Sequence, residues 1–177
     1  DFLCIDAEGL RDGNNGSFQS EAQYFAGEGR APVALGNADA DILWRFDLPR
    51  ALAVAPHDVA SGSVLVRGDV LYASTSNGIG RYRKDGATDA VNPDAPAFIA
   101  LNKFTGALLA TDDTPISREL FHAQWSSPSA GEVARKPIIV VGGSDGVCYA
   151  FDALGICAVD SRKDKLRCEA WCYLWLF

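Results

Sequence analysis

Short apolar runs that end on Asp or Asn recur along this chain. Leu3-Cys4-Ile5-Asp6-Ala7, Ile99-Ala100-Leu101-Asn102-Lys103 and Tyr149-Ala150-Phe151-Asp152-Ala153 each read as a buried strand closed by a turn-favouring residue. The second run passes through Phe104-Thr105-Gly106 into Ala107-Leu108-Leu109-Ala110-Thr111-Asp112. The third reaches Gly155 one residue sooner and continues Ile156-Cys157-Ala158-Val159-Asp160. After the first, the comparable return strand is Asp41-Ile42-Leu43-Trp44-Arg45-Phe46-Asp47. Strand, glycine turn and strand together predict hairpins.

A second pattern precedes two of these hairpins. His57-Asp58-Val59-Ala60-Ser61-Gly62-Ser63 parallels His122-Ala123-Gln124-Trp125-Ser126-Ser127-Pro128. The first copy continues Val64-Leu65-Val66, a turn at Arg67-Gly68-Asp69, then Val70-Leu71-Tyr72-Ala73; the second runs to Ala130, turns through 131–137 and enters Ile138-Ile139-Val140-Val141. Both close on a polar glycine turn, Ser76-Asn77-Gly78 and Ser144-Asp145-Gly146. Joined to the hairpins, these segments predict a repeated unit of four antiparallel strands. One complete unit spans about 57–113, a second about 122–160, and the outer half of a preceding one lies in 1–47. Core packing is expected at positions 64–66, 70–72, 99, 101, 108, 138–141, 149 and 151. Insertions near 9–40 and 79–97, rich in Gly, Asn, Asp and Pro, read as long surface loops. Within the first of them, positions 17–25 suit a short helix with Ser17 or Ser20 as its cap.

Four-stranded units in tandem are the blades of a β-propeller. The expected fold is therefore all-β, a partial β-propeller of about three blades over 1–160 with two long loop insertions, followed by an atypical segment at 161–177. Three blades are too few to close a ring of the usual 4–8. The expected partners are accordingly other propeller blades, from the same or another chain. Residues 100–110 resemble the Ala-x-Asp-x-x-Thr-Gly-x-x-x-Trp signature of PQQ-like (pyrroloquinoline quinone) β-propeller repeats, with Asn102 in place of the Asp and Ala110 in place of the Trp. Trp44 resembles the Trp of the preceding blade, the residue that locks neighbouring blades in that family. The resemblance implies a bacterial, periplasmic or otherwise extracytoplasmic protein, acting as a non-catalytic scaffold or a ligand- and protein-interaction module. Its alternative implication is part of a quinoprotein dehydrogenase that uses PQQ and calcium. The vicinal cysteine pair often found in those enzymes is absent, and no position matches their catalytic Asp.

Charge bears on the choice of partner. With 16 basic and 23 acidic residues the chain carries a net −7. That balance disfavours nucleic acid, whose binding depends on phosphate neutralisation. No apolar run reaches the length of a membrane-spanning helix. The chain opens on an apolar strand pattern without the basic start of a leader, which reads as a processed or partial sequence. Five cysteines, Cys4, Cys148, Cys157, Cys168 and Cys172, leave at least one without an internal partner and form no CxxC pair. Cys4 and Cys148 lie in strand patterns and are expected to be small buried hydrophobes.

Two groups of residues carry candidate chemistry. His57 and His122 occupy equivalent repeat positions at the mouth of the first strand of adjacent units, so both imidazoles are expected near a channel mouth. Asp58, Gln124 and Trp125 stand close to them in sequence; the set reads either as a ligand or metal site or as loop tethers. Asp12, Asn14 and Glu21 supply oxygens in the glycine-rich stretch Asp12-Gly13-Asn14-Asn15-Gly16. Oxygen donors of that kind suit calcium, although the spacing is not that of an EF-hand. No glycine-rich phosphate loop and no nucleophile elbow occurs.

Overall fold

A computed structural model describes residues 1–57, 62–82, 88–120 and 122–153. The expectations for Asp58, for a return strand at 156–160 and for the 161–177 segment lie outside the described residues. The all-β expectation holds: the described residues form eleven strands and two short α-helices. The strands make four separate antiparallel sheets, each of them open. No helix among the described residues is long and apolar enough to cross a membrane.

The chain divides into two compact units, Asp1–Asp47 with Lys103–Ala107, and the remainder from Leu48 onward. In the first unit, β1 (Phe2–Ile5) pairs with β2 (Ile42–Phe46), placing Phe2 opposite Phe46 and Cys4 opposite Trp44. The insertion between them carries a 3-10 turn at Gly9–Asp12 and the helix α1 (Glu21–Ala26). Ser20 occupies the N-cap position of α1, but its side chain makes no capping bond. Trp44 is buried, and its Nε1 donates to the carbonyl of Lys103 at 2.9 Å. The turn that receives it needs glycine at position 106. Gly106 has φ +69°, and a Cβ there would lie 2.5 Å from Trp44 Cε3.

The second unit begins with α2 (Leu48–Leu52), followed by β3 (Leu65–Arg67), β4 (Val70–Ser74), β5 (Ile79–Tyr82), β6 (Thr88–Ala90), β7 (Phe98–Asn102) and β8 (Leu108–Thr111). Strands β3-β4-β7-β8 form one four-stranded antiparallel sheet in that order. β5 and β6 pair with each other, so the insertion at 79–97 contains a hairpin instead of a plain loop. β9 (Ser129–Val133), β10 (Lys136–Gly142) and β11 (Cys148–Asp152) make a three-stranded sheet. The β9–β10 turn is only Ala134-Arg135, both at positive φ (48° and 64°), as a two-residue hairpin turn requires. Neither residue is a Gly, Asn or Asp, so the sequence signal for this turn was missing and the whole of 131–137 read as loop.

Stacked rings join the two larger sheets. Phe98 of β7 lies 5.4 Å from Phe151 of β11, with Tyr72 and Tyr149 extending the stack on either side. Ile79, Ile116 and Ile139 are fully buried in the same cluster. Each such side chain contributes roughly 1.5–3 kcal/mol by leaving water. Strand alternation corrects two expectations. Val64 and Val66 are 45% and 52% exposed, because β3 is an edge strand that turns only Leu65 toward the core. Cys148 is exposed at the start of β11, whose buried residues are Tyr149, Ala150 and Phe151, and Cys4 is only partly buried.

Candidate functional site

The second unit gathers four of the predicted site residues, His57, His122, Gln124 and Trp125, around one short backbone segment. Asn77 and Gly78 are flanked on both sides. Pro56 bridges Asn77, and Gly78 bridges Ala123. His57 N–H donates to the Ser76 carbonyl (3.1 Å), and Ile79 N–H donates to the His122 carbonyl (2.9 Å). Gly78 is what allows the two flanking segments to close in, since a Cβ there would lie 2.4 Å from His57 Cβ and 2.9 Å from Ala123 Cβ. The imidazoles of His57 and His122 therefore meet with ring centres 4.5 Å apart. Trp125 stands edge-on to His122 at 4.8 Å. The repeat-equivalent histidines and the tryptophan do come together.

Gln124 has a different place from the one its neighbours suggested. It is fully buried; its Nε2 donates to the Gly142 carbonyl (2.8 Å) and its Oε1 accepts from Ser144 N–H (2.9 Å). Both ends of the amide are thus engaged by the 142–144 backbone, and Gln124 positions that loop. Ser126 Oγ accepts from Gly142 N–H at 3.2 Å, adding a second tether. Beyond it, Asp145 orders the turn by accepting from Val147 N–H (3.0 Å) and from the Tyr149 hydroxyl. Burial first, and then the Asp145 carboxylate, push the Tyr149 phenol well above its ordinary range.

The result is a cleft of about 230 Å³ lined by residues 123–126 and 142–144. Two buried polar atoms on its lining residues, Trp125 Nε1 and Ser144 Oγ, have no hydrogen-bond partner among the described residues. Buried donors are nearly always satisfied, so an orphaned pair on one cleft asks for an explanation. Ser144 was visible in the sequence only as part of a polar turn. Asn77 was likewise read as a turn residue, yet it is fully buried. It accepts from Ala55 N–H (3.1 Å) and donates to the Asn92 carbonyl (2.9 Å) and to Ser117 Oγ (3.0 Å).

The oxygen-rich loop belongs to the first unit. Asn14 Nδ2 donates to Glu21 Oε2 at 2.9 Å, and Glu21 is only 2% exposed, whereas Asp12 stays exposed on its 3-10 turn. A further carboxylate, Asp41, is fully buried beside them. No three His, Cys, Asp or Glu side chains among the described residues cluster as a metal-binding group. A larger cleft of about 660 Å³ lies along Tyr24, Arg30 and Arg45. There the Arg45 guanidinium is already engaged by Asp1, Asp47 and the Tyr24 ring face.

No protein-family model, no curated protein and no solved structure matches this chain.

Proposed function

We propose that this chain is a segment of a β-propeller that serves a bacterial extracytoplasmic protein as a non-catalytic interaction module. Its cleft at Trp125 and Ser144 takes a hydrogen-bond acceptor from a protein partner. The four-stranded order β3-β4-β7-β8 and the seat of Trp44 on the Lys103–Ala107 turn support the propeller part of this reading. The pair of unpartnered buried groups carries the binding part. Trp Nε1 only donates, and a Ser hydroxyl both donates and accepts, so the complementary group presents an acceptor oxygen. Size favours a side chain over a free small molecule: about 230 Å³ falls short of the roughly 300–1,000 Å³ of pockets that enclose ligands. An Asp, Glu, Asn or Gln side chain of a partner suits both the chemistry and the volume.

The lining residues do not fit PQQ with calcium. That quinone carries three carboxylates and needs cationic side chains, and its calcium needs carboxylates. Residues 123–126 and 142–144 include neither.

The test is an indole N–H titration by NMR on the full chain. Short peptides that present Asp, Glu, Asn or Gln are added, with an all-Ala peptide as control. The Trp125 indole signal is expected to move downfield and saturate with an acceptor peptide. The Trp44 signal stays in place, because its N–H is already bonded to Lys103. A Trp125 signal that ignores every acceptor peptide, or follows the all-Ala control equally, overturns the reading.

A further inference from the structure

We infer that the cleft along Tyr24, Glu28 and Arg30 binds an acidic saccharide, with a uronate carboxylate on the Arg30 guanidinium. The cleft lies wholly within the first unit, and the inference does not rest on the Trp125 cleft. Its volume of about 660 Å³ falls inside the roughly 300–1,000 Å³ of pockets that enclose a ligand. Helix α1 and the turn after it form its wall. Gln23 Nε2 donates to the carbonyls of Gly27 (2.8 Å) and Arg30 (3.2 Å), so one amide holds both ends of that turn. Val33 N–H donates to the Ala22 carbonyl (3.0 Å), which ties the following chain back to α1. Tyr24 is held in place as well. Phe18 and Phe25 meet its ring edge-on at 5.8 Å, and the Arg45 guanidinium lies 5.1 Å from its centre. The cleft is thereby shaped before a ligand arrives, which lowers the ordering cost of binding.

The polar groups on the lining define the ligand. Arg30 pairs with no carboxylate among the described residues, although the chain as a whole carries a net −7. The planar fork of a guanidinium matches a carboxylate. Arg45 adds a second cation to the same lining, and only its Nε and Nη2 are taken, by Asp1 and Asp47. Three further groups lack a partner among the described residues: the Glu28 carboxylate, the Gln23 carbonyl oxygen and the Tyr24 hydroxyl. The first two only accept, so a bare anion leaves them unserved. A hydroxyl both donates and accepts, so a polyol that also carries a carboxylate satisfies Arg30 and these acceptors together. Phe25, 43% exposed beside Tyr24, adds an apolar face for the C–H groups of a sugar ring.

The experiment titrates the isotope-labelled full chain with trigalacturonate. NMR follows the Arg30 Nε–H and the Gly27 and Gly29 amides. Saturable shifts are expected at all of them. Neutral maltotriose, which lacks the carboxylate, should bind at least about tenfold more weakly. Acetate, which lacks the hydroxyls, and a short glutamate peptide should lose at least about as much. Arg30→Gln should weaken trigalacturonate binding at least about tenfold. Arg30→Lys should recover only part of that loss, because an ammonium has the charge without the fork. Arg30 is exposed, so neither substitution threatens the fold. No saturable shift at about 10 mM trigalacturonate overturns the inference. So does equal binding of maltotriose, acetate or the glutamate peptide, or an Arg30→Gln chain that binds as the parent does. The Trp125 indole signal should stay in place throughout, and a shift there without one at Arg30 overturns the inference too. The Trp125 cleft stands or falls on its own titration.

Discussion

Replacing Gly106 by Ala asks whether Trp44 is held by shape as well as by its hydrogen bond. The new methyl meets two obstacles. At φ +69° an L residue costs roughly 1–2 kcal/mol. The methyl also falls 2.5, 2.7 and 3.1 Å from Trp44 Cε3, Cδ2 and Cγ, an overlap costing roughly another 1–3 kcal/mol. Gly68 separates the two effects. Its φ is +58°, yet nothing lies within 4 Å of the position a Cβ would take. Gly68→Ala should therefore lose only the backbone share. Urea unfolding followed by far-UV circular dichroism should place Gly106→Ala roughly 2 kcal/mol below Gly68→Ala. In a Trp44→Leu background the overlap with the indole is relieved, and the two alanine variants should converge. Equal losses at Gly68 and Gly106 in the parent chain, or a difference that survives removal of the indole, would refute the seat of Trp44 on this turn.

Further outcomes follow from single side chains. Burial raises the Asp112 carboxyl from 3.8 to about 6, against the opposing pull of bonds from Thr114 and from the Phe98 backbone. Between those values the folded chain binds the extra proton, so Asp112's contribution to stability falls as pH rises from about 4 to 6, by about 3 kcal/mol in all. Urea unfolding at pH 4.5 and 7 should show that slope, and Asp112→Asn should flatten it. An unchanged slope in the variant would refute the assignment. Gln124→Leu removes the amide from its two backbone partners and leaves the part-buried Gly142 carbonyl and Ser144 N–H without it. A loss of roughly 2–4 kcal/mol is expected by urea unfolding, with a sharp gain in hydrogen exchange at Ser144 N–H.

Much of the local structure was legible in the residue pattern. The apolar runs ending on Asp or Asn became β1, β7 and β11, and Thr105-Gly106 marked the turn between β7 and β8. The repeat alignment put His57 and His122 in equivalent positions near a channel mouth; the structure sets their rings 4.5 Å apart across Gly78. The β9–β10 turn escaped because Ala134 and Arg135 take left-handed backbone without the residues that normally announce it. The hairpin inside 79–97 escaped because its composition is that of a loop.

Alternation along a strand states which residues share a face, and turn residues state where the chain reverses. Both are local properties, so the sequence determined the all-β character and the main hairpins. It left open which side of a strand meets the core and which distant atoms satisfy a polar side chain. Leu65 faces inward while Val64 and Val66 do not, because β3 lies at the edge of its sheet. Gln124 clamps the 142–144 backbone, because that loop returns to it. Asp41, an ordinary acidic residue in the sequence, is buried with one oxygen unpartnered among the described residues. Each outcome depends on contacts between segments far apart along the chain, which only packing brings together.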